Sequence, residues 1–511
     1  MSSDSNKRIA KNTIALYLRT LLSVIVSLYT SRVVLQVLGV SDYGVYGVVS
    51  GIVGMFAFLN SAMSAATSRF LTFEMGKGDE TRLNDTFNGA LLIHIGIAFV
   101  VVLIAETAGL WLLCNKMVIP EGRMTAAHVV YQCSIVASFL GITQVPYSAV
   151  IMAHEKMDIY AYIELLNVGL KLVIVYLITI AAWDKLIVYS LLSLAVSVLM
   201  IFIYRFYCIK HYKESRLHLV FNKKIVKPML GFSVWNLLAE CGYSLRVYGS
   251  NVVLNMFFGT VVNAAGGIAA TVQGILMMLA GNITTAVRPQ IITNYAAGNF
   301  QRMNQLMVST IRMNLFLVGI VTIPMFIDAP YVLKLWLGNV PEYCVSFCRL
   351  LLVVMFITGV SHIITIGLHA SGKIRRSAIV RNIIYMLTPV VIYGVLKWHH
   401  ASPVVGYSII VVSQTTVALV DIYLLHQNIP QIKCSVIFFD YIKSLVIAAA
   451  IVFGVGRLMH GGATSFGGLV IDSLVGWLCL IVLFWLLMFR EKEKGMVVSF
   501  VTTTLSKISN R

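Results

Sequence analysis

Charged side chains are scarce in this sequence. Only 12% of its 511 residues are Asp, Glu, Lys or Arg, whereas 59% are hydrophobic. Soluble domains carry charge on about a quarter of their residues. A soluble globule is therefore excluded, and the composition indicates an integral membrane protein.

Catalytic motifs are missing as well. The stretch "GLHASGKI" (367–374) comes near a phosphate-binding loop, but Ile374 stands where that loop requires Ser or Thr. The eight cysteines are scattered and have no His or carboxylate cluster beside them, so they indicate apolar packing. We therefore expect no enzyme, no catalytic residue, no metal and no bound cofactor.

Acidic residues are few, 21 against 39 basic ones, which gives a formal net charge of +18. The basic residues lie in alternate loops instead of forming one soluble patch, so nucleic acid is not expected as a partner. Their distribution follows the positive-inside rule and predicts that both termini are cytoplasmic.

Long apolar runs recur along the chain. A span across about 30 Å of hydrocarbon needs roughly 20 residues at about 1.5 Å each. Runs of this kind predict an all-α polytopic membrane protein with about fourteen transmembrane helices.

The chain also repeats itself. "VVLQVLGVSDYGVYGVVSGIVG" (33–54) aligns with "VVLNMFFGTVVNAAGGIAATVQG" (252–274), and an amphipathic segment follows each copy. Equivalent residues are Gly39 and Gly259, Gly47 and Gly267, Arg69 and Arg288, and Arg82 and Arg302. Six predicted spans separate the copies, so both cross the membrane in the same direction.

The repeat predicts two pseudo-symmetric six-helix lobes with two further helices. We place the N-lobe at 1–209, a basic cytoplasmic linker at 210–228, and the C-lobe at 229–426. Residues 427–511 then hold the last two spans and a cytoplasmic tail.

Several charged residues lie inside predicted spans, where an ionised side chain costs about 2.5–3.5 kcal/mol. Arg19 and Arg32 both lie on the first predicted span, and we expect them to line a hydrated cavity. Cations outnumber acids there, and guanidinium groups suit phosphate or carboxylate, so an anionic cargo is predicted. The candidate substrate-binding residues are Arg19, Arg32, Arg246, Lys171, Arg69, Arg288, Asn60 and Asn236.

Structural roles remain open for these residues. Arg69 and Arg288 can snorkel to lipid phosphates, and the asparagines can hydrogen-bond between helices. Lys171 and Glu164 are two helical turns apart on one face, so they can partly satisfy each other or pair with groups on neighbouring helices. Glu240 and Glu164 are the candidate groups for coupling to a proton or sodium ion.

The stretch from Asn12 to Phe70 contains an LG-x-x-x-YG-x-Y pattern that begins at Leu38 and ends at Tyr46. It resembles the opening of bacterial polysaccharide transporters, the O-antigen and capsule flippases of the multidrug/oligosaccharidyl-lipid/polysaccharide (MOP) superfamily. The resemblance implies alternating access in the inner membrane. It also implies transfer of a polyprenyl-pyrophosphate-linked oligosaccharide from the cytoplasmic to the periplasmic leaflet.

In related peptidoglycan-precursor flippases, cavity arginines are held to bind pyrophosphate. By their place on the spans, the resemblance implies this role for Arg19, Arg32 and Arg246. The implied partners are the lipid-linked glycan, the bilayer and other polysaccharide-assembly membrane proteins.

Two alternatives remain. A multidrug antiporter of the same superfamily needs cavity carboxylates, and the mid-span acids here are chiefly Glu106, Glu164 and Glu240. A membrane-embedded polysaccharide polymerase or ligase normally carries a large periplasmic loop, which the predicted topology lacks.

Overall fold

The computed structural model describes residues 3–154, 156–218, 223–458, 462–489 and 494, and its regular structure over these residues is entirely helical. The helices are α1 (Ser3–Gly54), α2 (Phe58–Lys77), α3 (Glu80–Ile104), α4 (Leu110–Asn115), α5 (Met124–Ala153), α6 (Met157–Ile180), α7 (Lys185–His211), α8 (Lys223–Ser244), α9 (Ser250–Phe258), α10 (Thr260–Ala296), α11 (Phe300–Ile327), α12 (Ala329–Leu337), α13 (Cys344–Ala370), α14 (Ile374–His399), α15 (Pro403–Asn428), α16 (Cys434–Leu458) and α17 (Phe466–Leu487). Short π-helical turns connect α3 to α4 and α8 to α9.

Twelve helical stretches among the described residues are long and apolar enough to cross a membrane. One of them, Leu22–Asn60, contains a backbone break at Gly39 and so joins two of the predicted spans. The all-α polytopic fold is therefore confirmed, whereas the number fourteen stays a prediction.

The two predicted repeat copies share one backbone feature. Gly39 has φ 78° and ψ 167°, and Gly259 has φ 73° and ψ −166°. A side chain would be strained at this positive φ, so glycine is required where one helix ends and the next begins at once. The copies thus agree in local structure as well as in sequence.

A second pair of corners agrees in the same way. Gly78 and Gly298 have φ 73° and 68°, and they end α2 and α10. The next residues, Asp79 and Asn299, cap α3 and α11 by accepting from the amide three residues later. Gly78 and Gly298 are as far apart in the sequence as Gly39 and Gly259 are. This equal spacing supports the duplication.

The chain divides into two compact units. The first comprises Met1–Thr271, Pro341–Tyr343 and Asn382–Gly406. The second comprises Val272–Val340, Cys344–Arg381 and Tyr407–Arg511. The lobe and linker boundaries drawn from the sequence remain predictions.

An ion cluster joins three connections of the first unit. Arg123, just before α5, contacts both Asp42 in α1 and Asp184 before α7. Asp184 also caps α7, because its Oδ1 accepts from the amide of Leu186 at 3.0 Å. The Arg123 guanidinium is the largest cause that lowers the pKa of Asp184. The cluster therefore holds the ends of these helices together.

We expect Arg123→Gln to lower the stability of the first unit by about 1–2 kcal/mol, since two partly exposed carboxylates lose their cation. A depressed carboxyl pKa adds stability above the pKa of the unfolded chain, and that stability is lost as pH falls through the folded value. Thermal unfolding in detergent checks both effects, with Lys185→Gln as a matched loss of charge. A variant that unfolds like Lys185→Gln at pH 7 would contradict this role.

Candidate functional site

Among the predicted site cations whose side chains the structure describes, Arg246 is the most deeply buried, with 2% of its surface exposed. It lies in the π-helical turn Leu245–Gly249 that connects α8 to α9. Such turns insert an extra residue into a helix and occur frequently at functional sites. The turn places a permanent positive charge inside the first unit.

Two tyrosine rings contact this cation. The Arg246 guanidinium carbon is 5.0 Å from the ring centre of Tyr243 and 4.6 Å from that of Tyr385 in α14. The two rings meet edge to face, with centres 6.0 Å apart. A cation–π contact contributes about 0.5–2 kcal/mol, and more when water is excluded. The tyrosines therefore offset part of the desolvation cost of Arg246.

Hydrogen bonds from two other helices fix the backbone beside Arg246. The Ser244 hydroxyl donates to the Met55 carbonyl at 2.8 Å. The Gly242 amide donates to Asn382 Oδ1 at 2.7 Å. The segment that carries Arg246 is thereby attached both to the end of α1 and to α14.

Close approach at this junction depends on a glycine. A Cβ on Gly54 would lie 2.9 Å from Cε1 of Tyr248, which belongs to the π-helical turn. A larger residue at Gly54 would force the Tyr248 ring to move, and Tyr248 is two residues from Arg246 in the same turn.

The other predicted cations differ from Arg246 in exposure. Arg32, Lys171, Arg69 and Arg288 are exposed along their helices. Arg288 Nη2 lies 3.3 Å from His369 Nδ1. The side chain of Arg19 lies outside the described part of the structure. Whether Arg19 and Arg32 act together therefore stays a prediction.

The predicted polar and acidic residues have varied surroundings. Asn60 is half-buried, and within the described residues its Oδ1 has no hydrogen-bond donor. Glu164 accepts a hydrogen bond from the Tyr204 hydroxyl at 2.9 Å instead of meeting Lys171. Glu240 is exposed. The side chain of Asn236 lies outside the described residues.

Two ion pairs of the second unit have partners that the sequence did not reveal. Arg312 in α11 pairs with Asp440 in α16 through an Nη2–Oδ2 distance of 2.7 Å, and both are buried. Arg381 pairs with the buried Asp421 at 3.1 Å. A lone acid within an apolar run, as at Asp440 and Asp421, was the available signal.

These features define a multi-pass helical membrane protein, and its fold is shared by solved transporters of the MOP superfamily. The lipid II flippase MurJ, in an inward closed conformation, matches with a TM-score of 0.65 and 13% identity over 93% of this chain and 97% of MurJ. An inward-facing multidrug resistance MATE transporter matches with a TM-score of 0.62 and 15% identity over 81% of this chain and 95% of that chain. A MOP transporter from Pyrococcus furiosus, described as having reversed polarity in its binding pocket, matches with a TM-score of 0.56 and 15% identity over 83% and 94%. At these identities the likeness shows the fold alone.

Within this class, the chain belongs to the family described as "Polysaccharide biosynthesis protein", whose family model matches residues 9–329. That match covers more than half of the 511 residues. No curated protein matches the sequence. The resemblance drawn from Asn12 to Phe70 is therefore confirmed.

Proposed function

We propose that the protein is a flippase for polyprenyl-pyrophosphate-linked oligosaccharide repeat units. It would move them from the cytoplasmic to the periplasmic leaflet of the bacterial inner membrane, for synthesis of a surface polysaccharide such as O-antigen or capsule. Membership of the polysaccharide biosynthesis family and the MOP fold support this proposal. Among the described residues, the observation that carries it is the buried Arg246 in a π-helical turn.

The chemistry of such a cargo explains why a cation is useful there. A pyrophosphate cannot cross bare hydrocarbon at an acceptable free energy, whereas the polyprenyl tail already belongs in the bilayer. The protein therefore has to provide a polar, positively charged path for the headgroup alone. Arginine suits this task because its planar guanidinium can bind a phosphate through two parallel hydrogen bonds.

The exposed and the buried residues would act on the cargo at different stages. Arg32 and Lys171 are exposed and would meet the headgroup first. Arg246 would then attract it towards the interior of the first unit. The Asn60 amide oxygen is buried and has no donor within the described part of the chain, so it would accept a hydrogen bond from a sugar hydroxyl. Coupling to a proton or sodium ion, with Glu240 and Glu164 as candidates, completes the proposal.

Reconstituted vesicles can test the role of Arg246. We expect Arg246→Gln to slow translocation of a fluorescent polyprenyl-pyrophosphate glycan by about tenfold or more, because about 1.4 kcal/mol of headgroup attraction is lost. Arg246→Lys keeps the charge without the planar fork and should be intermediate. Arg19→Ala and Arg32→Ala should each slow the same step.

The exposed Lys443 offers a control, since Lys443→Gln removes a surface charge of α16. Each variant must first elute and unfold as the unchanged protein does. Equal translocation rates for the four arginine variants and Lys443→Gln would remove the arginines from the mechanism.

A further inference from the structure

A pair of buried acids lies in the second unit, away from the arginine site. Asp328, at the corner between α11 and α12, is fully buried, and Asp472 in α17 is 3% exposed. The Asp328 Oδ1 accepts a hydrogen bond from the Ala463 amide at 2.7 Å. Its other oxygen, Oδ2, is also buried and has no hydrogen-bond donor among the described residues.

A neighbouring cation, Arg349, does not satisfy this oxygen. Arg349, in α13, donates from Nε to the Phe326 carbonyl at 2.9 Å and from Nη2 to the Ile327 carbonyl at 3.2 Å. Its described hydrogen bonds therefore go to the main chain at the end of α11. In the first unit, by contrast, Arg123 contacts both of its carboxylates directly.

Asp328 and Asp472 are close enough for a side-chain hydrogen bond, and two buried carboxylates in that position cannot both stay ionised without a large free-energy cost. A shared proton removes that cost, because one carboxyl group then donates to the other. A metal cation fits less well, since the Arg349 charge would repel it and the Ile327 carbonyl already accepts a hydrogen bond.

We propose that Asp328 and Asp472 form a proton-binding site, in which one shared proton attaches α17 to the corner between α11 and α12. The ligand is a single exchangeable proton, held between two carboxyl groups. The site is independent of the glycan-binding role proposed above.

The surroundings of Asp328 raise its pKa towards neutral pH. Burial, the largest cause, and the neighbouring Asp472 raise the pKa of Asp328 from 3.8 to about 6. The Ala463 amide and the Arg349 charge oppose this shift. The folded protein thus holds the proton roughly a hundredfold more tightly than a free aspartate does.

The charged groups around the pair come from each neighbouring element. Asp472 belongs to α17 and Arg349 to α13. Arg457, near the end of α16, lies over the Phe453 ring. Position 460 in the connection to α17 is a histidine outside the described residues. His460→Gln therefore serves as the control, because it tests whether this histidine, and not the Asp pair, causes an observed titration.

Infrared spectroscopy of the full chain in detergent tests the proposal directly. We expect a carbonyl-stretch band of a protonated carboxylic acid that disappears as pH rises, with a midpoint near pH 6. The band should be absent from Asp328→Asn and from Asp472→Asn, and it should remain in His460→Gln. No band in the unchanged protein between about pH 5 and 8, or a band that survives in both Asn variants, would overturn the proposal.

Thermal unfolding provides a second measurement. An acid with a raised pKa makes the folded state bind more protons than the unfolded state, so stability falls as pH rises through the folded value. The midpoint temperature of the unchanged protein should fall across about pH 6, whereas Asp328→Asn should keep a constant midpoint, because its amide replaces the proton. The same pH slope in both proteins would contradict the shared proton, whatever the protein transports.

Discussion

Replacing Arg312 by alanine is expected to destabilise the second unit by about 3–5 kcal/mol, one of the two largest effects in this protein. The side chain is 3% exposed, and both its Nε and Nη2 lie within 2.9 Å of the Asp440 carboxylate. Removing the guanidinium leaves a buried carboxylate without its cation. The loss comes mainly from that stranded charge and less from the contact itself.

A double replacement separates these two causes. Arg312→Met with Asp440→Leu removes both charges and keeps much of the volume, so it should recover most of the lost stability. Thermal unfolding of the detergent-solubilised variants measures the difference. If the double variant unfolds as early as Arg312→Ala, then the pair stabilises the unit by another route and the charge argument fails.

Gly44→Val is expected to have a comparable effect in the first unit. A Cβ on Gly44 would overlap the main-chain carbonyl of Thr260, which begins α10. A backbone atom cannot move aside as a flexible side chain does, so α1 and α10 would have to separate. Overpacking in a tight contact costs about 1–3 kcal/mol, and an overlap with backbone belongs at or above the upper end of that range.

Gly47 provides the matched control for this substitution. It lies almost one turn further along α1, and a Cβ there meets nothing within 4 Å. Gly47→Ala should be neutral or slightly stabilising, since alanine is the better helix former. Gly44→Val should lower the midpoint temperature of unfolding and abolish glycan translocation. Gly47→Ala should leave both unchanged. Equal behaviour of the two variants would show that the contact at Gly44 is dispensable.

Much of the fold could be predicted because its causes are local or periodic. Apolar runs of sufficient length give the membrane helices, and the repeat shows itself in glycines that a break at positive φ requires. Gly39 and Gly259 were paired from the sequence, and both have this conformation. The number of spans was harder to fix, because the helices on the two sides of Gly39 follow each other without a loop.

The candidate site was less accessible to prediction. The sequence places Arg246 within a span, but the tyrosine it meets in α14 is distant in the chain, and only tertiary packing brings the two together. For Glu164 the sequence left Lys171 and a neighbouring helix open as partners, and its described partner is Tyr204 in α7. Helical periodicity indicates which residues share a face, whereas the partner of a buried charge depends on the neighbouring helix.

The buried acids Asp328 and Asp472 were overlooked for a related reason. An anionic cargo predicts cations as the site residues, whereas Asp472 is an acid in the apolar stretch "LVIDSLVGW". A lone acid in such a stretch indicates a buried partner or a function. Its position in α17 beside the end of α11 could not be read from sequence spacing.

The choice of cargo is the most direct test of the central claim. Vesicles containing the purified protein should be given a fluorescent polyprenyl-pyrophosphate glycan and, separately, a fluorescent organic cation under a proton or sodium gradient. We predict that the glycan lipid crosses the bilayer about tenfold or more faster than in protein-free vesicles, and that the cation does not accumulate. Gradient-driven accumulation of the cation, with the glycan lipid no faster than in protein-free vesicles, would contradict the flippase and identify a drug antiporter.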